Sequence, residues 1–303
     1  MKIGLTIGDQ SGIGLEIIKK SIPLFSDVEF QIIGKVIPKE LISYGQVSPT
    51  CGRLAGEAIK EAIDLALKGE IDAVVTAPIH KGAFNLGGWK YAGHTEMFAD
   101  LTNTSNYAMM LIHHNLRVIH VTTHCSLRQA LDLITTDRVY ETIKIAHNAC
   151  RQLGIDKPRI AVAGLNPHCG EEGTFGNEEK EILLPAIKMA KEENILVSDS
   201  IPADVVFAKG LGGAYDCVVA MYHDQGHIPV KTVGFKWEKE EWGEIDGVNA
   251  TFGLPIIRTS PDHGVAFGKA GKGTADPTSM ISAIKIAIQL VESRDAEKDG
   301  KCS

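Results

Sequence analysis

The chain has 303 residues, 44% hydrophobic and 23% charged, with a formal net charge of −7. That composition excludes a disordered chain, and an acidic balance without a basic run excludes nucleic acid and anionic membrane as expected partners. No apolar run approaches the ~18 residues of a membrane span. Six scattered cysteines (Cys51, Cys125, Cys150, Cys169, Cys217, Cys302) form no CxxC pair, so free thiols in a reducing cytosol are expected. The opening MKIGLTIGDQSG reads directly into a strand and a Gly-rich turn, so no signal peptide is expected and the protein is read as cytoplasmic.

Strand-like and helix-like segments alternate. Lys2–Ile7 reads as a strand, Ile13–Ser21 as a helix and Glu29–Ile33 as a second strand. Residues 35–49 carry two prolines and no period, so they read as loop or edge. Arg53–Lys68 has helical spacing and a Lys68-Gly69 stop. Asp72–Thr76, Arg117–Thr122, Arg159–Gly164 and Cys217–Met221 are short apolar runs that read as buried strands. Glu96–Leu101, Asp137–Leu153 and Glu178–Glu192 read as helices between them. Gly253–Arg258 reads as one short strand, Thr278–Val291 as a closing helix, and Glu292–Ser303 as a charged, frayed tail. The alternation predicts an α/β fold, two-lobed, with mainly parallel sheets and helices on both faces. The lobes are expected at 1–90 plus 246–303, and at 91–245.

In such sheets chemistry gathers at the carboxyl ends of strands. Gly8-Asp9-Gln10-Ser11-Gly12-Ile13-Gly14 follows the first strand; its backbone suits an anion at a helix N-terminus, or simply a tight turn. It is neither G-x-G-x-x-G nor a Walker A loop. His124, His168 and His223 each follow a buried strand. Each alone reads equally as a hydrogen-bonded structural histidine; three together suit a divalent metal with an open coordination position. Asp224 beside His223 suits a carboxylate that orients the ligand, or a base. Gly93-His94-Thr95-Glu96 opens a helix that Thr95 could cap, with His94 at its positive end. Arg258 ends an apolar run, where its charge requires an internal carboxylate or an anionic ligand. Asp262-His263-Gly264 and Ala270-Gly271-Lys272-Gly273 form a loop open to close backbone approach, or merely a chain reversal.

Longer motifs carry a resemblance: GDQSGIGLE (8–16), TAPIHKGA (76–83), GHTE (93–96), TTHCSLR (122–128), AGLNPHCGEEGTFGNEE (163–179), AMYHDQG (220–226), GVNATFGLPIIRTSPDHG (247–264) and AGKG (270–273). From Lys2 to about Val291 the chain resembles the 4-hydroxythreonine-4-phosphate dehydrogenases, the PdxA family. The resemblance implies the isocitrate/isopropylmalate dehydrogenase type of fold and a homodimer. It also implies NAD, with NADP as the alternative, and one divalent metal (Zn, Mg, Mn or Co) per site. The family's metal ligands fall on His124, His168 and His223, one of them supplied across the dimer interface. Its substrate positions fall on His94, Thr95, Lys231, Asn249 and Arg258. Cofactor contacts fall on Asp9, Gly12, His263, Gly264, Gly271 and Gly273. Asp204, Asp224 and Lys231 are the candidates to orient ligands or move protons.

The implied reaction is oxidation and decarboxylation of a phosphorylated 3-hydroxy acid. 4-Phosphohydroxy-L-threonine would give 3-amino-2-oxopropyl phosphate, and D-threonate 4-phosphate would give dihydroxyacetone phosphate. Three departures stand out, one of them a region 35–50 much shorter than in typical members. GDQSGIGLE replaces the commoner GDPAGIGPE, and Lys236–Asp246 (KWEKEEWGEID) looks like an insertion resembling the D-threonate 4-phosphate branch. Its Trp237 and Trp242 are expected to be buried. The competing classes are a metal-dependent hydrolase or aldolase, which would ignore NAD, and a silent phosphate-ligand binder, which would lack a metal histidine.

Overall fold

A computed structural model describes residues 1–238, 241–298 and Gly300, without the side chains of residues 238, 241, 242 and 244. The chain divides into two compact units, Met1–Ser105 with Phe235–Ser303, and Asn106–Gly234. The crossings therefore fall at 105/106 and 234/235, and the helix that begins at His94 belongs with the first unit.

The first unit opens with β1 (Lys2–Thr6), α1 (Gly14–Ser21), β2 (Glu29–Ile33), α2 (Pro49–Leu67), β3 (Ala73–Thr76), α3 (Lys81–Leu86) and α4 (His94–Leu101). β1 pairs in parallel with both β2 and β3. The α2 helix starts four residues earlier than its apolar spacing indicates. Ser48 accepts the Cys51 N–H at 3.3 Å and Pro49 takes the first turn, where its missing N–H costs nothing. Its stop is as read: Glu70 N–H returns to the Leu65 carbonyl at 3.0 Å across a left-handed Gly69. Ala58, Ile59, Ala62 and Ile63 of α2 pack with Ile7, Ile33, Val74, Phe84, Met97 and Phe98 to form this unit's core.

The second unit runs β4 (Ala108–His113), β5 (Leu116–His120), α5 (Leu127–Leu133), α6 (Thr136–Gln152), β6 (Ile160–Ala163), α7 (Leu184–Glu192), β7 (Val197–Ile201), α8 (Ala203–Leu211), β8 (Cys217–Ala220) and α9 (His223–Gly234). The strand order is β4-β5-β8-β6-β7, with β4–β5 antiparallel and the other pairs parallel. Leu111, Leu116, Val118, Ala161, Val206 and Val218 lie in its core. The helix read at 178–192 begins with a wide turn, Glu179–Leu183, before α7. Pro185 lacks the N–H that a regular turn there would need.

The chain then returns to the first unit with β9 (Phe235–Glu238), β10 (Glu241–Ile245), β11 (Val248–Phe252), β12 (Ile257–Pro261) and α10 (Thr278–Lys298). The single strand expected at 253–258 is a correction. β11 and β12 form an antiparallel pair, and the turn between them starts at Gly253, which has φ +91°. β12 also pairs in parallel with β3. The tail reading is corrected as well. α10 continues to Lys298 because Arg294 anchors it, donating to the Asp72 carboxylate at 2.9 Å and its carbonyl at 3.1 Å. Each unit is a mainly parallel α/β sheet packed by helices.

The insertion is the β9–β10 hairpin, with Trp237 opposite Trp242. Trp237 is 60% exposed, against the expectation that it is buried; the Trp242 side chain lies outside the described residues. Hydroxyls hold the hairpin base: Ser279 donates to the Ile245 carbonyl at 2.7 Å, and Ser282 to Asp246 at 2.8 Å. The five described cysteines are free, and Cys302 lies outside the described residues. Among the described residues no helix is long and apolar enough to cross a membrane.

Candidate active site

In the first unit the β-register builds a pocket around one cation. Arg258 on β12 stands opposite Thr251 on β11 and beside Val74 on β3. It is 2% exposed. Its Nη1 donates to Thr251 Oγ1 at 3.2 Å and Asn249 Oδ1 at 3.5 Å, and its Nη2 to Thr76 Oγ1 and Ser260 Oγ, both at 2.9 Å. All four acceptors are neutral, and the buried Nε has no partner. Burial pulls the guanidinium down to about 9, with Glu96 acting to raise it. The Phe98 ring lies 5.7 Å from the guanidinium carbon.

Two further predicted residues join this pocket from α4. Thr95 Oγ1 lies 3.3 Å from Thr251 Oγ1. His94 is held well below the usual imidazole range by burial and by the nearby Arg258 and Lys81 charges, so it is neutral at physiological pH. Its Nε2 is buried without a partner. Gly93, not Thr95, occupies the N-cap position, and it offers no side chain to the helix end. A buried cation with an unpartnered Nε beside a neutral imidazole with an unpartnered Nε2 suits an anionic, oxygen-rich ligand.

The loops implied for the cofactor also lie in this unit. Asp9 is fully buried; its Oδ1 accepts the Ser11 N–H at 3.0 Å and the Ser11 hydroxyl at 2.6 Å. Ile13 N–H donates to the Val265 carbonyl at 3.1 Å, which ties the β1–α1 turn to the loop after β12. Burial lowers His263, whose Nδ1 sits 2.9 Å from the Gly264 carbonyl oxygen. Further along, Glu16 accepts Ala275 N–H at 2.7 Å while Lys20 donates to the Gly273 and Ala275 carbonyls at 3.0 and 2.7 Å. Gly264 and Gly273 have open space where a Cβ would stand, which fits close approach of a flat ligand. Gly271 and Gly273 also have positive φ, +75° and +73°, so both glycines already have a conformational reason, and at Gly271 a Cβ would in addition meet the Tyr44 ring at 2.9 Å.

The histidines lie in the second unit. His223 opens α9, and His227 and Lys231 follow at four-residue steps on the same helical face. The His124 and His223 rings are 5.8 Å apart. His223 Nδ1 meets Asp224 Oδ1 at 2.7 Å, leaving Nε2 as the nitrogen available to a metal. His168 stands on a turn where five successive residues, His168 to Glu172, have φ between 42° and 81°. Glu179 anchors that turn, accepting the Leu165 and Asn166 N–H groups at 2.8 and 2.6 Å. Asp204, in the first turn of α8, lies near enough to this turn that its charge helps burial raise the Cys169 thiol.

Among the described residues, His124, His168 and His223 do not form a set with all ligand atoms within 4.8 Å of one another. Two imidazoles near each other, one oriented by a carboxylate, fit a divalent cation; this chain alone does not gather the third. Sequence reasoning missed Thr76, Thr251 and Ser260, which hold Arg258, and the buried His120 and His227 behind His223. Thr76, Thr251 and Ser260 all stood inside quoted motifs. The burial of His120 was legible only as its place in an apolar strand.

These two units define an α/β fold of the dehydrogenase type. The isocitrate dehydrogenase from Methylococcus capsulatus shares it, with a TM-score of 0.53 at 15% identity over 98% of this chain and 87% of that one. A family model described as pyridoxal phosphate biosynthetic protein PdxA matches residues 15–287, and the chain belongs to that family. The D-threonate 4-phosphate dehydrogenase of Salmonella typhimurium is 49% identical over 251 residues, 83% of this chain and 74% of that one. The 4-hydroxythreonine-4-phosphate dehydrogenase of Beijerinckia indica is 47% identical over 82% of this chain and 72% of that one. The crystal structure of the Klebsiella pneumoniae 4-hydroxythreonine-4-phosphate dehydrogenase aligns with a TM-score of 0.78 at 38% identity, covering 96% of this chain and 99% of that one.

Proposed function

We propose that the protein is a cytoplasmic, NAD-dependent, divalent-metal-dependent dehydrogenase that oxidises and decarboxylates a phosphorylated 3-hydroxy acid. The observation that carries this reading is Arg258, a buried guanidinium whose four hydrogen bonds all go to neutral groups. An anionic ligand would compensate that buried charge beyond what the charge of Glu96 provides.

Arg258 and Asn249 hold an anionic group of the substrate, and His94 with Thr95 help to fix the phosphate. Lys231 provides a second cationic contact. Neutral His94 offers a donor or an acceptor at Nε2 without adding charge. When bound at His124, His168 and His223, a divalent metal would supply Lewis acidity, and NAD would supply the hydride acceptor. Asp224 holds the His223 ring from its Nδ1 side, and Asp204 or Asp224 relays protons. The loop at 262–276 cradles the adenosine half of NAD, its backbone held by Glu16 and Lys20. A homodimer completes the metal set with one imidazole of the partner subunit, consistent with a single chain that does not gather all three.

D-Threonate 4-phosphate is the substrate we favour, on the β9–β10 insertion and its likeness to that branch. A site built for a hydroxyl penalises an ammonium group by leaving polar atoms unpaired. NADH formation from a panel of phosphorylated four-carbon acids with added divalent metal tests the reaction. No NADH from any of them would overturn it. A tenfold preference for 4-phosphohydroxy-L-threonine in kcat/KM, about 1.4 kcal/mol, would reverse the substrate assignment alone.

A further inference from the structure

Behind His223 lie two histidines for which the chemistry above has no use. The His227 ring stacks on the His223 ring with centroids 3.6 Å apart and planes 10° apart. Its Nδ1 also meets the His223 carbonyl oxygen at 2.9 Å. His120, the last residue of β5, lies 4.8 Å beyond His227 and is held by a 3.2 Å contact from Nδ1 to the Met109 carbonyl oxygen. Both are buried, at 0% and 7% exposure. The helix makes room for this array: a Cβ on Gly226 would fall 2.3 Å from His120 Nε2 and 2.7 Å from Val118. Strand, helix and glycine are thus fitted to one row of rings ending at His223.

We infer that His227 is a positioning residue for His223, fixing the plane of its imidazole, with His120 backing His227 from β5. The inference rests on His223 being a metal ligand. Asp224 grips His223 at one ring edge, which leaves rotation about that contact free; a ring laid flat against its face removes that freedom. Parallel, closely centred rings are the arrangement that neutral aromatic pairs avoid, because their like-charged faces meet. The objection disappears when one ring is depleted of electrons, as an imidazole is once its lone pair serves a cation. Packing alone would be served as well by an aliphatic side chain. His227 instead combines a flat face toward His223 with a contact to that residue's own backbone.

The test uses the full-length, metal-stripped protein and Co2+ as the probe, read by competition with a chelating dye and by the Co2+ absorption spectrum. His227→Leu should weaken Co2+ binding by about 10- to 100-fold and alter the spectrum, while the metal-free melting temperature stays within a few degrees of wild type. His227→Phe, which keeps the face, should recover most of the affinity. Wild-type Co2+ affinity and spectrum in a folded His227→Leu variant would overturn the inference. If that variant fails to fold, Phe binding more tightly than His227→Gln supports the stack, and Gln matching wild type overturns it. His223→Ala, measured alongside, separates the two levels: undiminished affinity there would remove the metal-ligand reading itself, while lost affinity there with a silent His227→Leu removes only the positioning role.

Discussion

The Arg258 pocket and the histidine cluster solve opposite problems. Arg258 is central in a sheet, fixed by the register of β3, β11 and β12, and the partners of its two Nη atoms are in place before any ligand arrives. The histidines stand on a helix start and on turns, partly exposed, and depend on neighbouring side chains for their aim. A sheet can hold a charge ready at a cost in stability. Loops and helix ends can hold ligands that must still close around an ion. The first region should therefore trade stability for function, and the second should lose function with little change in stability.

The largest effect expected from that contrast is at Arg258. Arg258→Met should lower kcat/KM by about a thousandfold, roughly 4 kcal/mol, while the melting temperature holds or rises because a desolvated charge is gone. A clear fall in melting temperature would show that the guanidinium serves the fold instead. At the other region, His168→Ala should abolish turnover and weaken metal binding without unfolding the protein, since the side chain is exposed on its turn. Activity that survives in chelator-treated buffer would break the three-histidine assignment.

Acid sharpens the contrast from the second unit. Burial drives His120 down to about 4 and His227 to about 2. Their folded pKa values lie below the unfolded value near 6.5, so the unfolded chain takes up protons first as pH falls. Stability is therefore full above about pH 6.5 and is lost below it; His120 alone accounts for on the order of 3 kcal/mol between pH 6.5 and 4. Urea unfolding of the metal-free protein should show that loss, and His120→Gln should flatten it; an equally steep loss in the variant would assign it to other groups. The smallest effect belongs to the insertion. Trp237→Ala should change stability by no more than about 0.5 kcal/mol, because the ring is 60% exposed; a larger change would mean that the hairpin is held by its tryptophan.

Legibility followed the same division. The apolar strands near 73–76, 160–163 and 217–220 were visible because doubly buried strands leave unbroken apolar runs. Arg258 was visible because a charge at the end of such a run demands an explanation. What stayed hidden was long-range: that Thr76, Thr251 and Ser260 would supply its partners depends on a register no local pattern encodes. The β11–β12 reversal was misread because Leu254 to Ile257 is apolar, while the turn is set by backbone dihedrals at Gly253. His120 and His227, 107 positions apart in sequence, could be joined only by folding.

The turn that bears His168 has one more consequence. Over His168 to Glu172 the backbone winds with the hand opposite to that of every helix around it. For most L-residues that winding costs roughly 1–2 kcal/mol, Asn and Asp being the side chains that tolerate it best. At Cys169, Glu171 and Glu172 the chirality of the α-carbon, more than side-chain chemistry, decides what the position tolerates. Glycine or a mirror-image amino acid installed by chemical synthesis would relax the segment, asparagine or aspartate would relax it in part, and the other natural residues would leave its tension in place.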